Sequence, residues 1–176
     1  MRLLSFIALV PFLLSSNFQK DSGKKAAKQE KKLRAYEASV DMADKAEFEF
    51  IANFANPMSG NNIPLTGPTY DLIVKGDSVK VFLPYFGVSR IAPDYGSSDR
   101  GIKYEGLLRN YSVGNNPKRK QVVITFQSDS KNQEVYRYTL FMGAGDDASL
   151  TISSTHRDPI SFTGVRSVIE LDDEKK

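Results

Sequence analysis

From Glu47 onward, apolar and polar side chains alternate in short runs broken by turn residues. Period two fits a strand with one buried face and excludes a helical body. The first run is Glu47–Phe54, with Phe48, Phe50, Ala52 and Phe54 on one face. A loop follows over Asn56–Asn62. Thr69–Lys75 and Ser78–Leu83 flank Gly76-Asp77 and read as a hairpin. Pro84 stops that strand, and Ile91–Arg100 is a loop. Ile102–Glu105 and Leu107–Val113 are short strands, ended by the turn cluster Gly114-Asn115-Asn116-Pro117. Lys120–Ser128, Glu134–Met142, Ala148–Thr155 and Ile160–Ser167 complete the set. About nine short strands at a spacing of roughly 8–12 residues predict a mainly β fold, an antiparallel meander forming a small barrel or sandwich.

The first 46 residues do not share this period. Met1-Arg2 is a short basic start, and Leu3–Leu14 is apolar except for Ser5 and Pro11. Spanning a bilayer takes roughly 20 apolar residues. The shorter run and its polar exit at Ser15 predict a cleaved signal peptide over residues 1–19. Export to the periplasm or envelope follows as an expectation. No Cys lies beyond the apolar run, so a lipoprotein is not expected. Residues 20–46 read as a basic arm, partly helical from Lys24 to Lys45, with a narrow stripe of Leu33, Tyr36, Val40 and Ala43. The antiparallel β domain is expected over 47–170.

Charge separates these parts. Lys20–Arg34 holds seven basic and two acidic residues, whereas residues 35–176 hold 16 basic and 19 acidic. The body is mildly acidic, so no domain-wide positive field exists to neutralise phosphates, and nucleic acid is not an expected partner. For the arm, a solvated linker is the commoner fate of such a run. The functional reading is weak contact with an acidic surface of lipid headgroups or glycans.

The body resembles a known family, the domain of unknown function 4251, envelope proteins of Bacteroidota. The resemblance rests on Phe48-Glu49-Phe50 leading to Asn56-Pro57-Met58-Ser59-Gly60, then Tyr70-Asp71-Leu72 and Leu83-Pro84-Tyr85-Phe86-Gly87. Ala92-Pro93 and Gly101-Ile102-Lys103-Tyr104 follow. Ser153-Ser154-Thr155-His156-Arg157 and Pro159-Ile160-Ser161-Phe162-Thr163-Gly164 close the series. It covers about residues 47–166 and implies an exported bacterial protein with an antiparallel β fold. It implies no activity. Asp77-Ser78-Val79 also resembles the short O-glycosylation site of this bacterial group.

Chemistry is sparse. With no Cys and one His, disulfides, thiol nucleophiles and multi-histidine metal sites are excluded. Gly143-Ala144-Gly145 precedes a strand rather than a helix, so it is a turn and not a phosphate loop. Ser153 or Ser154 with His156 and Asp158 lies within six residues, and a strand–turn of that length rarely assembles a triad. No catalytic, cofactor or metal residues are assigned, and no enzyme is expected. The most unusual stretch is Tyr85 and Phe86 between Pro84 and Gly87, followed by Arg90 and Tyr95. Such side chains offer apolar area with a polar handle, and these four are the candidate ligand or partner contacts. The competing expectation is a plug, with Phe86 buried in the core and the Tyr85 hydroxyl near solvent or a polar partner. The expected function is a non-enzymatic binding module for a small ligand, glycan or envelope protein. The alternatives are a structural or assembly factor of the envelope, and then a carboxylate-dependent hydrolase.

Overall fold

The computed structural model describes residues 19–88, 101–129 and 134–169. The expected signal peptide, apart from Gln19, and the C-terminal tail fall outside them. The chain divides into two units, the first ending at Lys31 and the second beginning at Lys32.

Helix α1 spans Gln19–Lys45, beginning earlier than the expected Lys24 and taking in the lysine-rich arm. Ala, Lys, Glu and Gln favour it. It stops at Ala46, whose φ of 52° is a left-handed conformation that closes a helix. In the second unit its face of Tyr36, Ser39 and Ala43 is buried, while Leu33, placed on the same stripe by spacing, is exposed.

The strands are β1 (Glu47–Pro57), β2 (Ile63–Pro64), β3 (Asp71–Lys75), β4 (Ser78–Leu83), β5 (Ile102–Leu107), β6 (Arg109–Asn116), β7 (Gln121–Asp129), β8 (Val135–Met142), β9 (Asp147–Ser154) and β10 (Ile160–Ser167). They pair in the order β5-β4-β3-β1-β10-β9-β8-β7-β6, with β2 beside β1, and the pairings are antiparallel. The two ends of that path, β5 and β6, are consecutive in the chain and joined through Leu108 alone. One bent length of chain thus borders β4 with its first half and β7 with its second, and the sheet nearly closes into a barrel. Near-closure brings the two sheet edges, the outer sides of β5 and β6, toward each other without pairing them.

Every other residue points inward. Phe48, Phe50, Leu72, Val74, Val81, Leu83, Val122, Ile124, Phe126, Tyr138, Leu140, Leu150 and Phe162 are buried and occupy the interior with large side chains. The phase breaks once. The β1–β10 register shifts between Ala52 and Phe54, a bulge that leaves Asn53 over. Ala55 therefore turns inward and Phe54, expected on the buried face, is 42% exposed. Gly164 stands opposite Ala52 beside this bulge. A Cβ there would collide with the carbonyl oxygen of Ile51, so only glycine fits.

Where α1 meets the barrel, Arg166 is buried. Its Nε donates to the Gly145 carbonyl at 3.1 Å and its Nη2 to the Ala35 carbonyl at 3.1 Å. Tyr111 donates its hydroxyl to the Ala43 carbonyl at 2.6 Å. The second half of α1 is held by side chains from β6 and β10.

Candidate functional site

The other end of the barrel carries the residues singled out by sequence. Strand β4 places Val79, Val81 and Leu83 inward, and the chain keeps that phase through Pro84, so Tyr85 is next inward at 9% exposure. Its hydroxyl lies 3.0 Å from the carbonyls of both Val88 and Asp158 and donates its one proton between them. The Asp158 N–H returns a bond to Val88 O at 3.2 Å. Gly87 lets the chain fold back over the ring, because a Cβ there would strike the Tyr85 hydroxyl.

Phe86 is consequently turned out. It is 43% exposed, and Val88 is 63% exposed. The expectation that Phe86 is buried is corrected: adjacent residues do face opposite ways, but Tyr85 takes the inner position. Met58, which follows β1 at the point where Pro57 pairs with Ile160, is 77% exposed at the same end. Arg90 and Tyr95 lie outside the described residues.

Beneath this rim is a buried polar group that sequence reading did not assemble. Glu134, 5% exposed, accepts a hydrogen bond from the Tyr136 hydroxyl at 2.7 Å through Oε2. Its Oε1 accepts from the Ser154 hydroxyl and faces Arg157 Nε at 3.1 Å. The Arg157 guanidinium carbon lies 5.3 Å from the Tyr85 ring centre and 6.0 Å from that of Tyr136, between the two aromatic walls. Ser154 Oγ also accepts the N–H groups of His156 at 2.9 Å and Arg157 at 3.1 Å. Deeper in, Tyr138 shares a hydrogen bond with Ser128 at 3.0 Å and stacks on Phe126 at 4.6 Å.

Burial raises the Tyr136 hydroxyl well above its usual range, and the bond to Glu134 raises it further. Burial likewise raises Tyr138 and Tyr85, the latter aided by the charge of Asp158. These phenols stay protonated, Tyr136 and Tyr85 as donors. The serine triad is not assembled. The Ser154 hydroxyl is committed to Glu134, and the turn from His156 to Asp158 contributes backbone N–H and C=O groups. Among the described residues no group of three His, Asp or Glu side chains is placed to hold a metal ion. Ser78, of the expected glycosylation site, is exposed at the β3–β4 turn with its hydroxyl bonded to Lys75 O at 2.8 Å.

Glu134 was detectable. It stands in phase with the inward Tyr136, Tyr138, Leu140 and Met142, and a lone acid on a buried face requires partners. Which partners they are depends on β9 folding back beside β8, which pairs Tyr136 with Ser154.

Comparison with known proteins agrees with this architecture. The sequence profile described as Domain of unknown function (DUF4251) matches residues 29–165. A solved structure, the crystal structure of a DUF4251 family protein from Bacteroides eggerthii, superposes with a TM-score of 0.58 at 16% identity. It covers 76% of this chain and 87% of its own. At that identity the likeness establishes the fold. No curated protein matches the chain.

Proposed function

The chain belongs to the DUF4251 family, and within it we propose an exported, envelope-associated β protein that binds a partner without catalysing a reaction, through the Tyr85 end of its barrel. One observation carries this reading. Tyr85 is anchored to two carbonyls from inside, and that anchor presents Phe86 and Val88 to solvent on a backbone fixed by Gly87. An exposed aromatic on a rigid mount loses little entropy on binding, which suits a contact residue. The interior filled by Phe48, Phe50, Phe126 and Phe162 favours a surface partner over a ligand held inside the barrel. The same filled interior is what favours the second reading, a structural or assembly factor of the envelope. Glu134 is enclosed by its three donors, so it gives a carboxylate hydrolase no support. No helix among the described residues is long and apolar enough to cross a membrane.

The test is site-specific photocrosslinking in intact cells of the native host, with a photoreactive residue at position 86 and a control at the exposed position 163 on β10. A discrete crosslinked product from position 86 alone, recovered with the envelope fraction, is expected. Equal labelling from both positions, or recovery in the cytosol, overturns the proposal.

A further inference from the structure

Strand β6 pairs with β7, and among the described residues no strand lies on its other side. The β4 ladder runs along β5 as far as Leu107 opposite Ser78, and the Leu108 N–H still donates to Asp77 O at 2.9 Å. The β3–β4 hairpin turns back at Gly76-Asp77, so the ladder ends there while β6 continues. Asn110, at a φ of 54°, sits in a break of the β6–β7 register. Beyond it Ser112, Gly114, Asn115 and Asn116 are exposed.

Proteins normally guard such an edge with charges, proline or a covering element, because its free N–H and C=O groups template another strand. The opposite edge, β5, carries Lys103 and Glu105. From Asn110 to Asn116, β6 carries no charge and no proline. Within it lies Gly114, where an added Cβ would meet only Val123 O at 3.8 Å, an ordinary contact. The fold itself does not require glycine there. Glycine inside a strand weakens it, and often marks where another backbone approaches closely. The adjoining turn holds Lys118, Arg119 and Lys120, three consecutive cations on an otherwise acidic body.

We infer that the open edge of β6 accepts an extended segment of a partner protein as an added strand, with acidic residues of that segment beside Lys118, Arg119 and Lys120. The neutral row supplies backbone pairing, and the cationic turn selects the end of the guest that lies against it. A second copy would place its Lys118 and Arg119 against the Arg109–Asp129 ion pair of the other copy rather than against a run of acids, so it matches the turn less well than an acidic segment does. This inference is independent of the Phe86 surface.

The probe is a synthetic peptide of three Asp followed by six alternating Thr and Val residues, with a control peptide that begins with three Lys. Both are titrated against the full chain at low salt by fluorescence anisotropy, and amide hydrogen exchange is followed across residues 110–116. The Asp-ended peptide is expected to bind at least about fivefold more tightly than the Lys-ended one, by charge complementarity at a rim. Alternate β6 amides gain protection. The triple variant Lys118→Glu/Arg119→Glu/Lys120→Glu inverts the peptide preference. Protection elsewhere, a preference that survives charge reversal, or no binding by either peptide overturns the inference. So does a chain that already dimerises through β6 and excludes the peptide.

Discussion

The hydroxyl of Tyr85 meets the carbonyl of Asp158 at 3.0 Å across 73 positions of sequence. That contact ties the chain leaving β4 to the turn between β9 and β10, two segments with no ladder between them. The loop is fixed from within, and its exposed side chains follow from the anchor.

The first expected outcome separates the two aromatics. Tyr85→Ala removes a buried ring with its hydrogen bonds and should cost about 3–5 kcal/mol, as large core truncations do. Phe86→Ala, on the outer side, should stay within about 1 kcal/mol of wild type. Tyr85→Phe keeps the ring and should cost about 0.5–1.5 kcal/mol, the net worth of a hydrogen bond. Urea melts of the three variants give the order. A Phe86→Ala chain that unfolds earlier than Tyr85→Ala would contradict the assigned faces.

Much of the fold was legible because strands announce themselves by period two, and β4 and β7 through β10 fall within a residue or two of their expected bounds. What was lost depended on interruptions of that period. Asn53 is one extra residue, invisible as a bulge until β10 is laid beside β1, and it reverses Phe54. Pro84 suggested an end to the strand. Extending the phase of Val79, Val81 and Leu83 through it would have placed Tyr85 inside and Phe86 outside. Sequence places Leu107 in the strand after the bend, because a chain that changes partners at Leu108 keeps one continuous apolar–polar rhythm. The lysine arm gave the opposite error. The helix expected from Lys24 begins at Gln19, although Asp21, Ser22 and Gly23 are poor helix formers.

Two glycines provide a contrast. Gly164→Ala forces a methyl group into the Ile51 carbonyl, a backbone atom that cannot rotate away. Relief requires separating β1 from β10 at the bulge, and a loss of about 1–3 kcal/mol is expected, as for overpacked sites. Gly114→Ala has ordinary contact at 3.8 Å and should be neutral or slightly stabilising. Thermal melts of both variants test this. Equal destabilisation would mean that Gly114 has a role in the isolated fold.

The buried carboxylate should behave as one unit with its donors. Glu134→Ala leaves Arg157 facing an empty acceptor position and should cost about 3–5 kcal/mol, the usual loss on breaking a buried pair from one side. Replacing Glu134 and Arg157 together with Met should cost less than Glu134→Ala, because the guanidinium that faced the carboxylate is removed with it and apolar side chains fill the space. A double-mutant cycle by denaturant unfolding measures the coupling. Strict additivity of the two single changes would show that the 3.1 Å pair contributes nothing.

Alkaline pH should loosen the attachment of α1. Burial raises the Tyr111 hydroxyl from its ordinary value of 10.0 to about 12, with the nearby Asp44 carboxylate adding to the shift. The unfolded chain therefore releases this proton at lower pH than the folded one. The stabilisation it represents is complete below about pH 10 and is lost as pH rises toward 12. The sign follows from the charged form: a phenolate at this site would face Ala43 O, to which the neutral hydroxyl donates at 2.6 Å. Tyr111→Phe cannot ionise, so its stability should fall less steeply between pH 10 and 12, although it starts lower by the value of the lost bond. Tyr85, Tyr136 and Tyr138 are also raised and add to the slope. Urea midpoints measured across that window for both chains decide the matter, and parallel curves would remove Tyr111 from the account.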